Sequence, residues 1–441
     1  MRSTAQPPRR SAAPPEGSRT KAWWVRWLDF LLGLCLALLL FVLPLSESLK
    51  NILFVSAVVL WLICLALRRE RPRLSPAGWG LVAFFVVAVL SAVGGLDRHQ
   101  AARGAWDVFR YGATFFLMLH GLTSRAQARW CIGALLASIV LGAVLGLVQY
   151  WAMEQAFAGQ AVNRGTVAVK IHSVGHPNHS ATYLVMMFGL ALAGALERSY
   201  RGAVRAAFAA MVALLAVATV FTYSRAGITL MVLVAAGMLL LTRRGRWMVA
   251  LVGLALALLV LPSVRATIPQ VVAAVQQPMK VGAIYDRVHV WRTVVLGVVR
   301  DRPLFGAGPR NFNTIDKRQY GLGYGWDYFD HAHSLYMNVA AEMGVLGLGA
   351  FFVWMGLFLR AWWPTRRHLD DGLARCLWLG SGGAFLTITV SGLVTTTLHT
   401  EGAMLLTAIW GLFFFVYEEG ARAARWQALL GLSLEGGSGR A

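Results

Sequence analysis

Apolar runs of about the length needed to cross a membrane recur along nearly the whole chain, and no soluble fold can bury that many. A helix needs about 20 apolar residues to span about 30 Å of hydrocarbon. Runs of that order lie at about 28–45, 51–67, 77–96, 109–122, 130–151, 180–196, 204–221, 226–241, 248–263, 338–359, 375–395 and 402–417. The composition agrees, with 57% apolar and only 14% charged residues, whereas soluble domains carry about 25% charged. The expected fold is an all-α polytopic membrane protein of about twelve transmembrane helices with one large extracytoplasmic loop subdomain.

The links between the runs test this count. With the N-terminus inside, the short inside loops hold Arg68–Arg69–Glu70–Arg71, Arg125/Arg129, Arg198/Arg201/Arg205, Arg243–Arg244–Gly245–Arg246, Arg360/Arg366/Arg367/Arg375 and Arg422/Arg425. The short outside links hold far less: Lys50 in one, Arg225 alone in another, and no Lys or Arg between Thr395 and Gly402. That alternation satisfies the positive-inside rule at every span. It also accounts for the balance of 41 Lys+Arg against 20 Asp+Glu, a net +21, through basic loops facing anionic lipid. Membrane lipid is thus an expected partner and nucleic acid is not. Residues 1–26, rich in Pro, Ser and Arg, read as a disordered cytoplasmic tail, with no cleaved signal peptide expected. Residues 27–263 hold spans one to nine, 264–337 the large loop, 338–418 the last three spans and 419–441 a second cytoplasmic tail. Cys35, Cys64, Cys131 and Cys376 fall in or beside apolar runs, so no disulfide framework or Cys/His metal site is expected.

The chemistry-bearing residues collect at the outer surface. Arg225, in Tyr223–Ser224–Arg225–Ala226–Gly227, joins two apolar runs with no room for a loop, so it either snorkels to headgroups or lines a ligand path. The segment Asp286–Arg300 places Val288, Trp291, Val294, Val295, Val298 and Val299 at helical spacing, a pattern suited to the membrane surface. Arg287 and Trp291 share a face and Arg292 turns away. In Asp330–His331–Ala332–His333–Ser334–Leu335–Tyr336 the two histidines, at i and i+2, point away from each other on a helix, poor spacing for metal, and no Cys or carboxylate set completes a shell. If Asp330 caps the tenth span, His333 lies in its first turn, where the helix dipole favours the neutral imidazole a general base requires. A pair of interfacial histidines bonding headgroups is the alternative. Gly306–Ala307–Gly308 lacks phosphate-loop spacing and reads as a turn needing positive φ. Gly321–Leu322–Gly323–Tyr324–Gly325–Trp326 reads as an aromatic loop compatible with sugar stacking.

In four places, in one order, the chain resembles the O-antigen ligase and polymerase superfamily of bacterial envelope glycosyltransferases. These are Gly175–His176–Pro177–Asn178–His179–Ser180–Ala181; Tyr223–Ser224–Arg225–Ala226–Gly227; Asp286–Arg287 to Trp291 with Gly306–Ala307–Gly308; and His331–Ala332–His333–Ser334–Leu335–Tyr336 running into Glu342–Met343–Gly344. The family often has Asn where this chain has Ser334. The resemblance implies a fold of the membrane-glycosyltransferase (GT-C) type and a ligase that needs no metal or cofactor. That ligase moves a polysaccharide from undecaprenyl pyrophosphate to lipid A–core on the periplasmic face of the inner membrane. It implies catalytic roles for His333, Arg225 and Arg287, with His331, Arg292, Arg310, Tyr336, His176 and Asn178 expected to bind substrate. An O-antigen polymerase or a protein O-oligosaccharyltransferase would use the same donor. A lipid-linked sugar transporter is a more distant alternative, which should place its polar groups at mid-membrane and show internal repeats.

Overall fold

The structure, a computed structural model, describes residues 23–69, 72, 74–157, 167–242, 282–323, 329–369 and 371–429. Its regular elements there are all helical: α1 (Trp23–Val42), α2 (Glu47–Arg68), α3 (Pro76–Val93), α4 (Arg98–Phe116), α5 (Arg125–Ala156), α6 (Pro177–Leu196), α7 (Gly202–Val220) and α8 (Arg225–Leu241). After these come α9, in three consecutive pieces (Gly282–Val290, a wider turn Trp291–Val295, and Leu296–Asp301), then α10 (Leu335–Thr365), α11 (Gly372–Ser391) and α12 (Thr400–Leu429). Nine of these helices are long and apolar enough to cross a membrane. The expected spans at 109–122 and 226–241 correspond to α4 with its continuation Leu117–Gly121, and to the shorter α8. The expected span 248–263, both tails beyond residues 23 and 429, residues 264–281 of the large loop and Tyr324–Trp326 lie outside the described residues.

Helix starts follow local capping chemistry. Ser46, Ser75, Ser124 and Ser224 each accept from a backbone N–H of the first turn, as Asp97 and Asp371 do. The Asp97 cap explains why α4 begins at Arg98 rather than near residue 109. Its first half carries Arg98, Arg103, Asp107 and Arg110, a polar extension that the search for apolar runs passes over.

Helix α12 forms the centre of the bundle, with Ala403 through Phe415 buried nearly throughout. Helix α3 packs on α10, and α6 lies between α7 and α11. Broad aromatic contacts join these helices: Phe358 stacks on Trp410 with ring centres 3.5 Å apart, and Trp362 on Trp378 at 4.6 Å. Large apolar side chains exposed on the outer helices, such as Ile52, Leu62, Leu145 and Val148, are what a lipid-facing surface requires. The four cysteines are buried and none is joined in a disulfide.

Two features shape the end of the bundle where α9 and the start of α10 lie. Helix α10 breaks at Gly344, whose φ of 65° and ψ of −165° no helix permits. The backbone of residues 303–308 fills the break: Val345 N donates to Pro303 O (2.9 Å), Ala307 N to Ala341 O (2.9 Å) and Gly308 N to Glu342 O (2.8 Å). Gly306 and Gly308, at φ 63° and 103°, allow this approach, and a Cβ at Gly306 would collide with the backbone of α10. The expected turn is therefore present and serves as the seam between loop and helix. A second, smaller core lies under it, built from Val290, Val294, Val295, Val298, Phe312 and Ala341 among others. The apolar face of α9 thus packs on α10 and the loop, instead of lying on the membrane surface as its pattern alone implies. A protein surface offering complementary shape and partners for every polar backbone group wins that face.

Candidate functional site

Five histidines from three separate segments meet at one end of the bundle. His331 and His333 precede α10, His176 and His179 open α6, and His399 closes the link between α11 and α12. Ring centres are 4.2 Å apart for His331–His333, 6.4 Å for His179–His331, 3.7 Å for His179–His399 and 5.4 Å for His176–His179. Among the described residues no group of three or more His, Cys, Asp or Glu side chains is placed to hold a metal ion.

The 330–334 segment is held from both sides. Trp291 Nε1 donates to Ala332 O at 2.6 Å, tying the segment to α9, and Ala332 N donates to Asn338 Oδ1 at 3.1 Å. Ser334 Oγ and Leu335 N both donate to Gly392 O, at 3.1 and 2.7 Å. These bonds hold His333 at φ 52°, a left-handed conformation that a non-glycine residue adopts only where its surroundings over-determine it.

Two expectations about this segment are corrected. His333 is not in a first helical turn, because Ser334 takes the N-cap position and α10 starts at Leu335; Asp330 is exposed and does not cap it. Nor does His331 point away from His333, since in non-helical backbone the two rings lie side by side. The neutral state therefore has another cause. Burial, reinforced by His331, Arg287 and His176, pushes His333 down to about 3. Burial likewise lowers His331, against the pull of Asp330, and takes His399 to about 4.

Arg287 is half-buried beside these rings. Its Nη1 donates to Val394 O at 3.0 Å, and its charge contributes to depressing both His331 and His333. Burial lowers its own pKa from 12.5, which leaves it a cation. Arg225 stands exposed at the start of α8, just after Tyr223 (φ 52°), whose hydroxyl meets that of Tyr150 at 2.9 Å. The first turn of α8 packs on that of α6, because a Cβ at Gly227 would collide with Ala181. Arg225 is thus carried at the same end of the bundle as His179.

The other expected residues divide. His176 caps α6, its Nδ1 accepting from Asn178 N at 3.2 Å. Arg310, at φ 61°, is exposed and pairs with Asp107 at 3.5 Å. Arg292 is exposed on α9. Tyr336 donates to Thr389 O at 2.7 Å and stacks on Phe352, so its hydroxyl and ring both hold α10 in place. His179 and His399 were not among the expected site residues. His179 stood within a quoted motif, and His399 carried only the signal of a polar residue in an outer link.

Histidines held below 6.5, His331, His333 and His399 among them, make the fold sensitive to acid. Between their lowered values and 6.5, the unfolded chain binds protons that the folded chain excludes, so stability falls as pH drops through that interval. Thermal unfolding of the detergent-solubilised protein is expected to shift to lower temperature between about pH 7.5 and about pH 5, with His399→Gln reducing the shift. A pH shift identical in the parent and in His399→Gln would refute a lowered pKa at that buried ring.

No curated protein matches the chain as a relative. Residues 210–352 match the family model described as O-antigen ligase. That stretch contains Arg225, Arg287, His331 and His333, together with the broken first half of α10, while His176, His179 and His399 lie outside it. The motifs, the many apolar helices and this match support the assignment of the chain to the O-antigen ligase family.

Proposed function

We propose that the protein is an inverting glycosyltransferase that moves O-antigen polysaccharide from undecaprenyl pyrophosphate to a sugar hydroxyl of lipid A–core, on the periplasmic face of the inner membrane and without a metal ion. The observation that carries this reading is the juxtaposition of neutral, half-buried His333 with the half-buried Arg287 guanidinium. A guanidinium makes charge-assisted, often bidentate contacts to phosphate oxygens, and an uncharged imidazole accepts a hydrogen bond from a hydroxyl.

In the proposed reaction the acceptor oxygen attacks the anomeric carbon opposite the pyrophosphate. The new C–O bond forms as the bond to the phosphate oxygen breaks, and its electron pair leaves on undecaprenyl pyrophosphate. Arg287 and Arg225 take up that developing charge. His333 orients the acceptor hydroxyl and receives its proton as the bond forms. A pyrophosphate bound beside His333 offsets the positive charge of Arg287, which raises the affinity of the ring for that proton.

The test is transfer by the purified protein in the presence of EDTA, with an undecaprenyl-pyrophosphate polysaccharide and three acceptors offered separately: lipid A–core, a second donor chain and a pilin-like protein. Product on lipid A–core alone is the expected result. Product only on the second chain or on protein would replace the ligase reading by a polymerase or protein transferase. Dependence on Mg²⁺ or Mn²⁺ would overturn the metal-free mechanism.

A further inference from the structure

A cavity of about 450 Å³ opens beside His331, with His333 outside its lining, between α3, α4, the 309–313 and 330–331 segments, α10 and the 396–400 link. Neither Arg287 nor Arg225 lines it. Its polar wall carries Asp107, Asp330 and Glu342 against one guanidinium, Arg310. That guanidinium is already paired with Asp107, and Glu342 Oε1 accepts from Phe312 N at 3.2 Å. Phe84, Tyr111 and Leu398 supply an apolar wall. Two polar groups in the lining are buried without a hydrogen-bond partner among the described residues: Thr396 Oγ1, on a residue only 9% exposed, and His399 Nε2. Buried polar atoms without partners are costly and rare, so their presence in a cavity wall marks where a ligand's own donors and acceptors belong.

We propose that this cavity binds an uncharged sugar ring, that of the acceptor saccharide, next to the reacting hydroxyl. The volume suits a small ligand of one or two rings. Asp107, Asp330 and Glu342 outnumber the two guanidiniums beside them, Arg310 and Arg110, both already paired with Asp107, which disfavours a phosphate, whereas carboxylates, a hydroxyl and an imidazole nitrogen match sugar hydroxyls, and an aromatic wall matches the C–H face of the ring. Because His331 forms one wall and touches His333, a sugar seated here brings its hydroxyl to the histidine while the donor's phosphates stay with the arginines. This assignment of the ring to the acceptor rests on the proposed transfer, but the binding of a sugar does not.

Two variants test it: Thr396→Val, which removes the unpartnered hydroxyl at nearly constant shape, and Val108→Phe, which adds bulk to the cavity wall. The probes are the oligosaccharide freed from lipid A–core and undecaprenyl pyrophosphate, each titrated directly onto the purified full chain. Thr396→Val is expected to weaken oligosaccharide binding and raise the acceptor KM by roughly 3- to 10-fold, the size of one neutral hydrogen bond. Val108→Phe should abolish oligosaccharide binding, and both variants should bind undecaprenyl pyrophosphate as the parent does. If the parent fails to bind the oligosaccharide, or both variants bind it as the parent does, the cavity is not a sugar site. A rise in donor KM with acceptor KM unchanged would overturn the acceptor assignment. Oligosaccharide binding that Val108→Phe abolishes, in a protein that transfers to no acceptor, would uphold the sugar site and reject the proposed function instead.

Discussion

Alanine at His333 is expected to lower transfer by about 10²- to 10⁴-fold, the range over which a positioned acid–base group acts, while donor binding and the melting temperature stay near those of the parent. The ring packs edge and face against Phe329 and His331, whereas the segment is held by the hydrogen bonds of Trp291, Asn338, Ser334 and Leu335. Removing the imidazole therefore leaves the scaffold in place. His331→Ala should have an intermediate effect, larger than a helical first turn would imply, because the two rings touch and His331 also faces the cavity. Single-turnover transfer with saturating donor measures both. Full activity of His333→Ala at equal protein level would reject its proposed role.

The second large effect is expected at Arg287. Loss of a charge-assisted contact that strengthens on the leaving group costs roughly 2–4 kcal/mol, or about 30- to 1000-fold in rate. Arg287→Lys should recover only part of this, because an ammonium supplies a point charge without the planar fork. The half-buried Arg287 should outweigh the exposed Arg225, whose contacts with phosphate are made closer to water. Rates for the alanine and lysine variants at both positions, with donor affinity measured in parallel, decide this. Near-normal transfer by both alanine variants would remove the arginine clamp from the mechanism.

A web of buried charge supports the same end of the bundle and was invisible in the linear chain. Lys50 is fully buried and pairs with Glu47 and Glu401, and Arg110 joins Asp107, Asn51 and Thr400. In the sequence Lys50 reads as an ordinary outside-link residue. Its partner Glu401 is far along the chain and meets it only because α12 runs through the centre. A buried ion pair of this kind is strongly destabilised when one partner is removed, which gives these residues a structural role beside the site.

The sequence by itself determined the class of fold. Apolar runs long enough to cross a membrane, separated by basic links, admit few soluble alternatives, because backbone polar groups in lipid must be satisfied within helices or closed barrels. The turn at Gly306–Gly308 was also legible as one needing positive φ, though not its role as a seam with α10, and Arg287, His331 and His333 stood out as candidate residues. Only the tertiary structure decided how those residues meet. His333 is neutral through burial among other rings and not through a helix dipole, because Ser334, held by Gly392, caps α10 and the helix starts two residues beyond His333. His179 and His399 entered the site because α6 and the α11–α12 link converge there, and Tyr336 was drawn away to anchor α10 on α11. Spacing along one helix can place a side chain on a face. Which distant segment covers that face is decided by packing among helices whose sequence separation carries no local signal.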